Sequence, residues 1–238
     1  MTKVYHITYY PQKETVCLHF WGCNLRCRTC IRQKEIYDCH LNGSGQSTGG
    51  QRLLPLKEVM NNLKILKVSK VIFMGWEASI DPELANLARL LHYKFRSYNT
   101  LITNGLKLPH LDHIDEVVLS IKAYTENLHR NFTGKSNKEI LKNFCNLYSS
   151  GMKLRTESIF IPTYIDLSEI EKITRFVASV DKGIPYRIDA YIPVGDSPWR
   201  RPTVDEMKQA VEIAKMHLTK VSCLTGTETV RDKVMKIV

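Results

Sequence analysis

VCLHFWGCNLRCRTC, residues 16–30, sets an apolar run of strand type directly before three cysteines. Cys23, Cys27 and Cys30 are spaced C-x3-C-x2-C. Three thiolates this close together can hold an iron–sulfur cluster but cannot complete it, because a 4Fe-4S cluster usually takes four cysteines. The iron without a protein thiolate is then an open coordination position. The competing reading is a zinc knuckle with its fourth ligand at Cys39 or His40. Paired C-x2-C units are commoner for zinc, and the flanking Gly-Cys-Asn-Leu-Arg-Cys has no role in such a site.

Seven cysteines occur in 238 residues, at 17, 23, 27, 30, 39, 145 and 223. An odd number with three crowded together is not a disulfide framework and suits a reducing compartment. Cys17 alternates within a strand and reads as a small core residue, as do Cys145 and Cys223 in their apolar contexts. Cys39 reads as a loop thiol, with a second-cluster ligand or a redox-active residue as the alternatives. No run approaches the length of a membrane span, and the first twelve residues lack a signal-peptide pattern, so a cytoplasmic location is expected. The net charge of +10, from 34 basic and 24 acidic side chains, favours anionic partners if it is more than a lysine-rich surface.

Outward from the cysteines the chain alternates. Strands are expected at 3–10, 15–21, 70–74, 99–102, 117–121, 154–161, 186–192 and 221–224. Helices are expected at 55–66, from Asp81-Pro82 onward, and at 136–148, 166–180 and 203–217. Ser136 and Glu139 match a capping box, and Gly151 closes that helix. Residues 31–39 read as a short helical or irregular piece, and the Gly- and Ser-rich residues 41–51 as a flexible loop. Repeated strand–helix units imply parallel strands with helices outside. About six units make a partial (βα)6 barrel, one domain over 1–238, with its chemistry at the carboxyl ends of the strands.

At those ends stand the cysteine loop, Gly75-Trp76-Glu77, Thr103-Asn104-Gly105, Lys122 and residues 191–195, with Arg155 and Ser158 inside a strand. These residues carry a resemblance. Gly-Cys-Asn-Leu-Arg-Cys with a third cysteine three on resembles the radical S-adenosylmethionine superfamily. MGWEAS at 74–79 resembles its Gly-Gly-Glu segment, and TNG at 103–105 its Thr-Asn-Gly turn. Residues 115–141 and 155–166 are similar to the matching stretches of the glycyl-radical-enzyme activases, such as pyruvate formate-lyase activating enzyme.

The resemblance implies a 4Fe-4S cluster on Cys23, Cys27 and Cys30, with S-adenosylmethionine on the fourth iron. Reductive cleavage would yield a 5′-deoxyadenosyl radical that abstracts hydrogen from substrate. Gly75 and its neighbours would let the backbone approach the methionine moiety, with Trp76 pointing away where a second glycine is expected. Glu77 would hold the methionine ammonium. Asn104, Ser120, Lys122 and Arg155 are candidates for the ribose and carboxylate. The implied partners are a protein substrate such as a glycyl radical enzyme, and a flavodoxin- or ferredoxin-type electron donor. RNA or a nucleotide-like small molecule is the alternative substrate, motivated by the net charge and by Trp199-Arg200-Arg201. A zinc-bearing binding module is the non-enzymatic alternative. Arg26, Arg28, Arg32 and Lys34 surround the cluster loop, either to offset its charge or to meet an anionic partner.

Four positions depart from the activase pattern. Thr29 stands where an aromatic residue is usual. Ile102 and Ser120 replace aspartates, removing anionic ligands for a monovalent cation. Ile192 lies where a histidine is common.

Overall fold

The computed structural model describes residues 1–33, 52–228 and 232–238. The expected loop at 41–51, together with Lys34, Cys39 and His40, lies outside the described residues.

β1 (Val4–Tyr10) and β2 (Thr15–Phe20) form an antiparallel pair. A 3-10 turn at Pro11–Lys13 joins them, with Glu14 at φ 45° closing it. From β2 the sheet grows in chain order through β3 (Lys70–Gly75), β4 (Tyr98–Thr103), β5 (Glu116–Ser120), β6 (Lys153–Phe160), β7 (Tyr186–Ala190) and β8 (Val221–Leu224). All these neighbours pair in parallel. A short β9 (Met235–Lys236) returns to pair with β1. β8 and β9 are the two edges among the described residues, so the sheet is an open, partial barrel.

The six parallel connections carry α1 (Leu56–Leu63), α2 (Leu84–Phe95), α3 (Glu126–Thr133), α4 (Lys138–Ser149), α5 (Leu167–Val180) and α6 (Val204–Lys215). Their distribution is uneven. The β5–β6 connection holds both α3 and α4, and the β4–β5 connection holds no helix. There Asn99 does a helix's tethering. Its side-chain amide donates to Ala88 and His113 carbonyls at 3.1 and 2.8 Å, and its backbone N–H donates to Asp115 Oδ2 at 2.7 Å.

One face of each strand packs against the helices. Leu18 and Phe20, Val71 and Phe73, Val117 and Leu119, and Tyr186 and Ile188 meet Leu63, Leu87, Phe144, Ile173 and Ala210 in one core. Burying such a side chain contributes roughly 1.5–3 kcal/mol. Strand periodicity turns the intervening residues to the opposite face. Ser120, Lys122, Glu157, Arg187 and Asp189 lie there, on the inner wall of the barrel.

Several local expectations change in the structure. Ser136 and Glu139 do not form a capping box: α4 begins at Lys138, and the Ser136 hydroxyl donates to Glu126 Oε1 at 2.8 Å. The expected helix is present as α4, and α3 precedes it unannounced, with Thr125 as N-cap and Gly134 at φ 78° behind it. The capping box of this chain is at α6, where Thr203 Oγ1 accepts from the Glu206 N–H and Glu206 accepts from the Thr203 N–H. Asp81 closes the 3-10 turn Ala78–Ile80 instead of capping α2 directly, and accepts from the Lys3 and Glu83 N–H groups. Cys17 is buried as expected, while Cys145 is only half-buried.

Gly75, at φ 112°, is required by the approach of β3 to β2. A Cβ there would lie 2.7 and 2.8 Å from the Phe20 backbone N and O. The close approach is thus to protein backbone.

Gly75→Ala should destabilise the protein by roughly 2–4 kcal/mol, because strain at φ above zero adds to a backbone clash; urea unfolding measures it. Thr203→Ala should cost about 1 kcal/mol. Arg200 and the Thr203 N–H hold the Glu206 carboxyl down to about 2. A lowered folded-state pKa contributes stability above the ordinary glutamate value, about 4.3, that fades as pH falls towards 2. The pH dependence of unfolding should therefore flatten in that window in Glu206→Gln.

Candidate active site

The cysteine loop leaves the carboxyl end of β2 and is tied down by backbone bonds. Arg26 N–H donates to the Thr133 carbonyl and Arg28 N–H to the Phe132 carbonyl, both at 2.9 Å. These bonds use the frayed end of α3 to clamp the segment between the first and third cysteines. All three thiols are half-buried and free of disulfides. Cys23 Sγ accepts from the Leu25 N–H at 3.3 Å. Burial pushes the Cys27 thiol up to about 11 and raises Cys23 as well. As thiols they are protonated at neutral pH, and a metal centre must displace those protons.

Glu77 holds the next strand end. It is 2% exposed and accepts three hydrogen bonds, which leaves one Oε2 lone pair unused. Oε1 accepts from Thr103 Oγ1 at 2.7 Å and the Ser79 N–H at 3.1 Å, and Oε2 accepts from the Asn104 N–H at 2.7 Å. Burial raises its pKa, and these donors pull the other way.

Asn104 carries the chain of contacts to the cysteines. Its side-chain amide donates to Asn24 Oδ1 at 2.7 Å and lies 3.6 Å from Cys23 Sγ, while Oδ1 accepts from the Leu106 N–H. One end of this side chain is therefore spent on the cysteine loop and the other on its own turn. The Trp76 ring lies 5.0 Å from that of Trp21, which meets Tyr5 edge-on.

Lys122 stands at the end of β5, close to Cys27, Cys30, Glu157 and Asp189. Burial pulls its ammonium down, but coupling to these acidic groups outweighs burial and raises its pKa. Ser120 donates to Glu157 Oε1 at 2.7 Å. Arg155 is brought elsewhere: its guanidinium binds Glu116 at 2.9 and 3.0 Å, towards the amino ends of β5 and β6.

An apolar collar flanks Cys27. Ala123, Phe132, Ile161, Ile165 and Tyr191 are buried together, with Cys27, Tyr164 and Trp199 packed on them. Trp199 stacks on Tyr164 at 4.3 Å, and Arg28 lies 5.2 Å over Trp199. Arg200 is paired with Glu206 at 2.6 Å. The Trp-Arg-Arg group thus contributes an aromatic wall to the site and only one uncommitted cation.

Residues 18–177 match the family described as the radical SAM superfamily. The chain belongs to that superfamily. Radical SAM enzymes use a 4Fe-4S cluster and S-adenosylmethionine, and this chain is such an enzyme. Among curated relatives it is 31% identical over 225 residues to "Putative glycyl-radical enzyme activating enzyme MJ1632" of Methanocaldococcus jannaschii, covering 91% of this chain and 83% of the relative. Among solved structures it resembles a radical SAM methyltransferase from Sphaerobacter thermophilus, with TM-score 0.65, 15% identity and coverage of 96% of this chain and 72% of that one. It also resembles Streptococcus suis SuiB bound to S-adenosylmethionine, with TM-score 0.63 and 14% identity, covering 88% of this chain and 46% of SuiB.

The donor set fits the radical SAM cluster. Three thiols outside any disulfide would supply three iron ligands, and Lys122 lies close to two of them. The described residues draw no three donors around one ion-sized centre, and a cluster needs no such convergence because each thiolate binds its own iron. Thr29 Oγ1, between Cys27 and Cys30, is buried with no hydrogen-bond partner among the described residues, a polar atom left for a bound group.

Sequence reasoning missed Glu157, Arg187 and Asp189 on the inner wall. Their signal was the alternation of polar and apolar residues in KLRTESIF and YRIDA. Asn104 was legible as a site residue, but its engagement with Cys23 was not.

A hydrogen bond to a cluster sulfur favours the more negative, reduced state. Asn104→Ala should lower the reduction potential by roughly 60 mV, tenfold in the reduced-to-oxidised ratio for one electron. A redox titration followed by electron paramagnetic resonance measures it at unchanged iron content.

Proposed function

We propose that this radical SAM enzyme abstracts hydrogen from a protein substrate, most simply the glycyl residue of a glycyl radical enzyme. The observation that carries this reading is the curated relative named for that activity, 31% identical across 91% of this chain. In this reading Cys23, Cys27 and Cys30 hold the cluster. When bound, the cluster and S-adenosylmethionine supply one-electron cleavage of a sulfonium carbon–sulfur bond, leaving methionine and a hydrogen-abstracting 5′-deoxyadenosyl group.

The chain's own residues do the rest. Lys122 presents an ammonium to the methionine carboxylate. Glu77 has one lone pair of Oε2 left for the methionine ammonium, and otherwise positions the Thr103–Asn104 turn. The collar of Phe132, Tyr164, Tyr191 and Trp199 keeps water from the reacting atoms, which protects a radical from quenching. The domain acts as one core over the whole chain, in a reducing cytoplasm, with a flavodoxin- or ferredoxin-type protein as electron donor. Arg26 and Arg28, both exposed at the cluster loop, are suited to an acidic donor. RNA as substrate is the less favoured reading, because Arg200 is already neutralised by Glu206.

The test is anaerobic. The protein is reconstituted with iron and sulfide, reduced, and mixed with S-adenosylmethionine and a glycyl radical enzyme. A stable protein radical by electron paramagnetic resonance and stoichiometric 5′-deoxyadenosine are expected, both lost in Cys27→Ala. Formation of 5′-deoxyadenosine with no protein radical in any such partner would reject the activase reading and leave the superfamily chemistry standing.

A further inference from the structure

The inner wall beside the cysteines carries a charged array that the cluster chemistry leaves unused. In register across the sheet, Ser120 on β5 opposes Glu157 on β6, and Glu157 opposes Arg187 on β7. Asp189 lies one inward step nearer the carboxyl end of β7, the end where Lys122 meets Cys27 and Cys30. Glu157 accepts from Ser120 Oγ at 2.7 Å through Oε1 and from Arg187 Nη2 at 2.6 Å through Oε2. Asp189 accepts from Arg187 Nε at 2.7 Å and Nη2 at 2.9 Å.

A guanidinium carries five N–H donors in a rigid fork. The two carboxylates use the Nε donor and both Nη2 donors. The two N–H groups on Nη1 make no hydrogen bond among the described residues, and the Arg187 side chain is 38% exposed. Held from two sides, Arg187 presents its third edge to the barrel interior with little orientational freedom left to lose. Asp189, with a side chain 31% exposed, keeps lone pairs beside it. Donor and acceptor thus stand next to each other on a rigid strand.

The charge of the array decides what it takes. Glu157 and Asp189 are negative, and Arg187 and Lys122 are positive. The four sum to zero, and to −1 once Lys122 is committed to a methionine carboxylate. A phosphate gains nothing from such a wall. A neutral group with an oxygen acceptor and an N–H donor gains both hydrogen bonds at no charge mismatch.

We propose that Arg187 and Asp189 form a subsite for a peptide main chain, with Arg187 Nη1 donating to a substrate carbonyl and Asp189 accepting from a substrate N–H. Glu157 is the positioning residue that aims the guanidinium. The subsite rests on the protein-substrate reading above and deepens it: the substrate is held by its backbone, beside the cluster, and is selected against nucleic acid.

The probe is acetyl-tetraglycine amide, with inorganic phosphate as the competitor chemistry. Binding to the reconstituted enzyme is measured by calorimetry in the presence of S-adenosylmethionine. Wild type should bind the peptide saturably and phosphate not at all. Arg187→Gln should weaken the peptide at least tenfold, with iron content and 5′-deoxyadenosine formation retained. Arg187→Lys keeps the charge between its two carboxylates, and therefore the fold, but cannot reproduce the fork; it should weaken the peptide to a similar degree. Equal peptide affinity in wild type and Arg187→Lys overturns the subsite, as does a wild type that binds phosphate in preference to peptide or binds neither. Failure of the cluster reading looks different, as absence of 5′-deoxyadenosine from wild type.

Discussion

A buried carboxylate joins two strand ends and so sets up the site. Glu77 has no cationic partner among the described residues and is sealed from water, yet three donors from Ser79, Thr103 and Asn104 surround it. Hydrogen bonds to a charged acceptor are worth roughly 1.5–3 kcal/mol each, and leaving such an acceptor unmet costs more. The turn after β4 has to take the one conformation that offers its hydroxyl and amide to Glu77. That conformation places the Asn104 side chain against Asn24 and Cys23. One buried carboxyl group after β3 therefore fixes the strand end beside it and, through that strand end, the cysteine loop.

The helices contribute by the same kind of indirect support. α3 is short and polar on average, but its carboxyl end supplies the two carbonyls that hold Arg26 and Arg28. Its Phe132 continues into the apolar collar around Cys27. The loop that carries the cysteines is thus pinned on one side by Asn104 and on the other by α3. A cluster bound there meets a preformed frame, and little of its binding free energy is spent on ordering the chain.

The inner wall of the barrel is polar because it is not the hydrophobic core. In this open sheet the helix-facing side holds the main apolar core, and the other side, although it buries Cys17 and Val118, can carry ion pairs at partial exposure. Charges on such a wall are costly unless paired. Pairing is what the Ser120–Glu157–Arg187–Asp189 array achieves, and it orients the remaining donors towards the space next to the cluster. The Glu116–Arg155 pair does the same nearer the floor of the barrel, where it serves structure.

The strand–helix alternation, the glycine before Trp76 and the three cysteines were legible in the sequence because each is a local pattern. Periodicity reports which face is buried, and ligand spacing reports which chemistry is affordable. Ser136 and Glu139 misled because a capping motif states what two residues can do, and Glu126 offered the serine hydroxyl a competing partner. The helix at Glu126–Thr133 was hidden by its low apolar content. The sequence by itself determined the fold class and singled out Cys23, Cys27 and Cys30 as the candidate iron ligands, since periodicity and ligand spacing are both local patterns. Only the tertiary structure decided that Asn104 serves Cys23, that Arg155 belongs to Glu116, and that Glu157 and Asp189 aim Arg187. Apart from Asp189, two residues along the same strand from Arg187, those assignments join residues 30 to 81 positions apart, which strand order sets side by side and which leave no trace in local sequence.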